Sequence, residues 1–311
     1  MKIKNLVVMI VLSVIVSVFL AHDGHAEPSM IDFTAYPPFL TVAPKPNVLI
    51  LLDNSASMLS YAYDFNDGGV SKGFDPARRY YGYFEPDLWY VYSGRFEPTA
   101  GKSTRAKAAN EWDGNLLNWL TMRRIDVARK VLIGGKAVSR TLTGNPHELI
   151  GEQADTSMRG YRKELNSAEA YTPYWGTRCF EFTFGTASAA DFEVGEHGGD
   201  CSSTGPGDFL DNYAVKVLLP TEPTGVIQAQ GDKVRWGLEF YNEEQGGRIA
   251  KEMTDDIASS MVTAIELDKP GSWTPMAEAL WTATGYFAQS PVTGDNGPRY
   301  HTPNAQSYRV G

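Results

Sequence analysis

Asp53, Ser55 and Ser57 place one carboxylate and two hydroxyls at alternate positions of the run Asn47-Val48-Leu49-Ile50-Leu51-Leu52-Asp53-Asn54-Ser55-Ala56-Ser57-Met58. Side chains two residues apart can point the same way into a tight turn. An all-oxygen set of this kind suits a hard cation, magnesium or manganese, better than ions that favour nitrogen or sulfur. The apolar run Val48 to Leu52 reads as a parallel strand buried on both faces, and ligands of open α/β sheets gather beyond the carboxyl ends of such strands.

A second oxygen donor stands far along the chain. In Gly271-Ser272-Trp273-Thr274-Pro275-Met276-Ala277-Glu278-Ala279-Leu280, Thr274 precedes a proline suited to the first turn of a helix. Thr274 reads as the helix N-cap, as a third hydroxyl ligand from a neighbouring loop, or as both. Asp64-Phe65-Asn66-Asp67-Gly68-Gly69 has a hint of calcium chemistry but lacks the spacing and terminal Glu of a calcium loop, so it reads as a polar turn. Ser55 or Ser57 could serve an exported hydrolase only with a base in reach, and no G-x-S-x-G elbow or recognisable histidine partner accompanies them. The reading is therefore non-enzymatic, with the hydrolase as an alternative.

The elements that must hold these groups follow from periodicity. Asp113 to Ile133 reads as one helix with the stripe Leu116, Leu117, Leu120, Ile125, Ala128, Val131 and Leu132, stopped by Gly134-Gly135. Arg123, Arg124, Arg129 and Lys130 read as its solvated flank. Val234 to Tyr241 alternates as a half-buried strand, Arg248 to Lys251 as a short edge strand, and Ile257, Met261 and Ile265 mark another helix. Two long segments, about 59–112 and 134–231, read as insertions. The first is crowded with aromatics that pack on each other and on the sheet, or form a sugar- or surface-binding platform. The second holds one strand, Tyr213 to Leu219.

Composition bounds the rest. The chain has 311 residues, 42% hydrophobic and 21% charged, which is ordinary globular usage. Lys2 and Lys4 before the apolar run Leu6 to Ala21, with Gly24-His25-Ala26 ahead of Glu27, read as a signal peptide over 1–26 or as an uncleaved anchor. Residues 27–46 form a Pro-rich extended lead-in, and 47–311 the main domain. A net charge of −9 without any basic cluster excludes nucleic acid as a partner. Cys179 and Cys201, an even pair in an exported chain, read as one disulfide or as two thiols. Neither they nor the dispersed histidines have zinc-site spacing, so a transition-metal site is not expected.

Taken together, Asp53, Ser55, Ser57 and Thr274 resemble the metal-ion-dependent adhesion site of von Willebrand factor type A domains. More narrowly, Pro37-Pro38-Phe39-Leu40, the Asn47 to Asp53 strand, Tyr80-Tyr81-Gly82-Tyr83-Phe84, the run Gly114 to Arg129, Pro223-Thr224-Gly225 and Thr274 to Leu280 resemble the amino-terminal half of PilC/PilY-type type IV pilus tip proteins. The resemblance implies a Rossmann-type open sheet with large insertions and a Mg2+ or Mn2+ ion bound directly by Ser55, Ser57 and Thr274 and through water by Asp53. It also implies a partner carboxylate, from a pilus subunit or a host surface, at the open position. The implied location is the periplasm to cell surface, at the pilus tip or outer membrane, with no membrane span after signal cleavage. An assembly or force-sensing module that does not use the metal is the alternative.

The family's site also has an Asp in a Thr-Asp-Gly loop after the next core strand. Asp295 has no buried strand before it and does not supply that group. The expectation is a fold incomplete at its carboxyl end, without the family's propeller, and a first strand with one unpaired edge prone to self-association.

Overall fold

The computed structural model describes residues 45–288 except 64–69, 72, 141–146, 154–161, 177, 185–189, 200, 202–206, 244–245 and 255–257. The expected signal peptide, nearly all of the lead-in, the Asp64 to Gly69 turn and Asp295 lie outside the described residues. In chain order the strands are β1 (Asn47–Leu52), β2 (Val70–Ser71), β3 (Leu88–Tyr92), β4 (Phe96–Gly101), β5 (Trp112–Asp113), β6 (His147–Ile150), β7 (Arg162–Asn166), β8 (Cys179–Phe184), β9 (Asp191–His197), β10 (Asp208–Ala214), β11 (Lys216–Leu219), β12 (Arg235–Tyr241) and β13 (Gly247–Thr254). The helices are α1 (Gly114–Thr121), α2 (Arg124–Ile133), α3 (Val226–Gln230), α4 (Ala258–Leu267) and α5 (Met276–Ala288). The class is mixed α/β.

The smallest sheet carries the candidate cation residues. Its order is β1-β12-β13, with β1 parallel to β12 and β12 antiparallel to β13. Alternation sends Trp236, Leu238 and Phe240 of β12 into one core with Leu52, Ile133 of α2, Ile227 of α3 and Ile265 of α4. Helix α5 packs on the sheet through buried Ala279, Thr282 and Tyr286, and its Tyr286 hydroxyl accepts from the Met253 amide at 2.8 Å. The short edge strand expected at Arg248 to Lys251 runs the full eight residues of β13. In β1 only Leu52 is buried, and Val48 is exposed. The expected burial of that run on both faces fails because β1 lies at the sheet's end, where its side chains lack neighbours on one flank.

The segments expected as two insertions interlock. One five-stranded sheet, β5-β3-β4-β11-β6, and a second, β10-β9-β8-β7-β2, both mix strands from the two segments. Between them lies an aromatic core: Phe96 and Phe192 stack with ring centroids 6.3 Å apart, and Trp112 meets Phe192 edge-on at 5.8 Å. Tyr80, Tyr83, Phe84 and Tyr90 are also buried, so these rings act as core rather than as an exposed platform. The single strand expected at Tyr213 to Leu219 is two, β10 and β11, in different sheets. Val215 separates them, its amide donating to Ala190 O and its carbonyl accepting from Gly151 N.

Two runs noted in the sequence lock together here. Asn115 Oδ1 accepts from Tyr80 N at 2.8 Å, and its amide nitrogen donates to Arg78 O at 2.7 Å. Asn118 donates to Tyr80 O and Phe84 O at 2.9 and 2.7 Å and accepts from Phe84 N at 3.1 Å. Helix α1 thus supplies the hydrogen bonds that the irregular 80–84 backbone cannot make within itself.

The helix expected over Asp113 to Ile133 is broken. Met122 and Arg123 are extended, with ψ of 130° and 163°. The freed backbone groups pair with the chain that follows β1: Ala62 N donates to Met122 O at 3.0 Å and Arg124 N to Ser60 O at 3.0 Å. Helix α1 is capped by Asp113, whose carboxylate accepts from Asn115 N and Leu116 N, and α2 ends on Gly134 in the left-handed conformation.

Candidate functional site

The site begins where β1 delivers its chain beyond the sheet. Asp53 Oδ1 accepts from Ser55 N at 2.8 Å, a local turn that reverses the backbone. Ser55 is buried, Ser57 is exposed, and a short 3-10 turn runs Ala56–Leu59. The two serine hydroxyls face each other with Oγ atoms 2.9 Å apart. That separation equals about 2.9 Å expected between adjacent ligands of an octahedral ion with ~2.1 Å bonds.

The loop before α5 lies alongside. Gly271 N and Ser272 N both donate to Asn54 O at 2.9 and 3.1 Å, Ala56 N donates to Ser272 O at 3.0 Å, and Ser55 and Ser272 form a parallel bridge. Thr274 follows two residues later, exposed, its carbonyl accepting from Met276 N at 2.9 Å as α5 opens. The backbone of this loop is held in turn by Glu243, whose carbonyl accepts from Trp273 N and from Ser272 Oγ. Asp53, Ser55 and Ser57 therefore share one turn, and the Thr274 loop is stitched to it.

Groups that the sequence reading passed over hold this arrangement from beneath. Asn54 Nδ2 donates to Asp268 Oδ1 at 3.4 Å. Burial raises the Asp268 carboxyl above its ordinary range, partly offset by Asn54, Arg129 and Arg248. Arg123 and Arg129, expected in solvent, are buried at 5% and 0% exposure. The Arg123 guanidinium donates to Leu59 O at 2.5 Å and to Glu152 O at 3.2 Å. Arg129 pairs with Glu152 and donates to Ile265 O at 3.1 Å and Asp268 O at 2.5 Å.

A guanidinium with five fixed donors can satisfy several carbonyls at once, which is why arginine survives burial here. The solvated-flank expectation fails because the helix break turns Arg123 inward and α4 closes over Arg129. Only Arg124, exposed, fits it fully; its guanidinium donates to Ser57 O at 3.4 Å. Burial pushes the Glu152 carboxyl up, but Arg129 and Lys136 more than offset it and leave it below its ordinary value. No sequence signal marks Glu152.

The cysteine pair resolves as a disulfide, Cys179 to Cys201, with sulfurs 2.00 Å apart. Among the described residues, no helix is long and apolar enough to cross a membrane.

Residues 71–203, the greater part of the double-sheet body, match the family model described as PilY1 homolog, small alpha/beta domain. A curated relative, the type IV pilus biogenesis factor PilY1 homolog of Xylella fastidiosa strain Temecula1, is 37% identical over 81 residues. That match covers 25% of this chain and 6% of the relative. The two matches make these stretches of the chain similar to PilY1 homologs. Asp53, Ser55, Ser57 and Thr274 lie outside the family-model match. No solved structure matches the chain.

Proposed function

We propose that this protein is a non-enzymatic component of type IV pilus biogenesis or tip adhesion, acting outside the cell. In this reading the β1-β12-β13 sheet with its helices is part of a von Willebrand factor A-like module. Asp53, Ser55, Ser57 and Thr274 hold Mg2+ or Mn2+, and a carboxylate of a pilus subunit or surface ligand completes the coordination. The observation that carries the reading is the bridge between Ser55 and Ser272, which sets the two oxygen-bearing loops side by side at the carboxyl end of β1. Hydroxyl ligands leave most of the ion's charge uncompensated, so it stays electrophilic toward an outside carboxylate.

Calorimetry with Mg2+ on the full chain and on a Asp53→Ala/Ser55→Ala variant tests the ion. A surface-binding assay with and without chelator tests its use. Heat and binding lost together in the variant support the reading; adhesion that survives both the variant and chelator defeats it. The family match to residues 71–203, away from the cation loops, favours a second reading in which the module assembles pilus subunits or responds to force without a metal. That reading expects piliation and adhesion to persist in the same variant.

A further inference from the structure

On the outer face of the β7-β8-β9 sheet, away from the aromatic core, Glu164, Glu181 and His197 bring two carboxylates and an imidazole together. Their ligating atoms all lie within 4.8 Å of one another. All three are buried, at 2%, 5% and 5% exposure. Register explains the meeting. Glu164 sits directly across from Glu181, which sits across from Gly195, and His197 lies across from Cys179. Gly195 contributes no side chain, so the His197 ring can reach diagonally to Glu181, where Nε2 stands 2.9 Å from Oε2. The Cys179 to Cys201 disulfide abuts Glu164 and fixes the same end of the strands.

We propose that this cluster is a metal site for zinc or a zinc-like divalent ion, separate in place and chemistry from the all-oxygen loop at Asp53. An imidazole nitrogen with two carboxylate oxygens is a borderline-ion set, and three protein ligands leave a fourth position for water. Ligand atoms around a tetrahedral ion with ~2.0 Å bonds stand about 3.3 Å apart, so the 2.9 Å pair needs only a small opening once an ion replaces the hydrogen bond between Nε2 and Oε2. The surrounding donors suit an outer shell. Thr183 Oγ1 donates to Glu181 Oε1 at 3.1 Å, turning that oxygen away and leaving Oε2 toward His197. Arg162 reaches Glu181 Oε2 at 3.0 Å and Glu164 Oε1 at 3.4 Å; it is the cation that must yield part of its contact when the ion enters. Ligands on three adjacent strands are held more rigidly than ligands on loops.

The test uses the full chain carrying Asp53→Ala and Ser55→Ala, so that uptake at the oxygen loop does not count. After treatment with chelator, one equivalent of Co2+ is expected to bind with the visible absorption of a four-coordinate ion and to be displaced by Zn2+. Adding His197→Gln should weaken binding ~100-fold or more, and Glu164→Gln at least ~10-fold, with the disulfide and near-ultraviolet dichroism retained. If His197→Gln fails to fold, Glu164→Gln decides alone. Absence of Co2+ uptake, or uptake that the folded variants leave unchanged, overturns the proposal.

Discussion

Arg129 and Glu152 form an ion pair inside the protein, the guanidinium fully buried and the carboxylate nearly so. The same guanidinium donates to the carbonyls of Ile265 and Asp268, so one side chain on α2 ties the double-sheet body to the turn that leads into the Thr274 loop. Replacing Arg129 with Met would leave Lys136 as the one cation paired with the Glu152 carboxylate and would remove the guanidinium donors from the Ile265, Glu266 and Asp268 carbonyls. A loss of about 3 kcal/mol or more is expected, since breaking one half of a buried pair strands the other charge. Urea melts of the full chain check this, and a change below about 1 kcal/mol would mean that the pair is not a structural tie.

Glu239 presents the opposite case. It is fully buried on β12, and neither of its carboxylate oxygens has a hydrogen-bond partner. Burial alone raises its carboxyl from 4.5 to about 7. The folded chain therefore keeps a proton that the unfolded chain releases, so this residue's contribution is most favourable below about pH 4.5, declines up to about pH 7 and is flat above, a total of about 3 kcal/mol. Glu239→Gln should remove that slope and stabilise the protein at about pH 8 relative to about pH 5. Parallel pH dependences for the variant and the parent would show that Glu239 finds a charge partner in solution.

Gly82 is placed against α1 with no room to grow. A Cβ there would lie 2.3 Å from Asn118 Oδ1 and 2.4 Å from Met122 Cγ, both in the buried seam between the 80–84 segment and the helix. Gly82→Ala should cost about 1–3 kcal/mol through overpacking and the displaced Asn118 hydrogen bonds. Gly94→Ala, with nothing near its Cβ but a φ of 81°, should lose only a smaller conformational term. Thermal melts of the two rank them, and a Gly94 variant that falls further than Gly82 would contradict the packing account.

The Cys179 to Cys201 disulfide closes a loop with a sequence separation of 22. Replacing both cysteines with Ser should lower stability by about 3 kcal/mol, chiefly by freeing the unfolded chain. Denaturation with and without reductant checks this: the parent should lose stability on reduction and the variant should not. Equal sensitivity of the two would mean that reductant acts elsewhere.

Much of the small sheet was legible. The apolar run ending at Leu52, the Pro275 that opens α5, the alternation of Val234 to Tyr241 and the even cysteine count each carry their signal in a few neighbouring residues. The double-sheet body was not. Strands such as Arg162–Asn166 and Asp208–Ala214 are short and polar, and their alternation is masked because charged side chains fill positions that only the tertiary partners make acceptable. Lys163 is 2% exposed because its ammonium donates to the Tyr63 and Trp119 carbonyls and lies 4.3 Å from the Trp119 ring.

What the residues determined by themselves was local: a turn with one carboxylate and two hydroxyls after an apolar strand, a hydroxyl before a helix-opening proline, and a helical stripe with cations beside it. The tertiary structure decided which of those cations would be buried, where the long helix would break, and that Ser272 would lie against Ser55. Side-chain type and spacing act over one or two turns of chain. Burial and pairing depend on contacts such as that of Asn54 with Asp268, 214 residues apart, which exist only once the sheets and helices have closed around them.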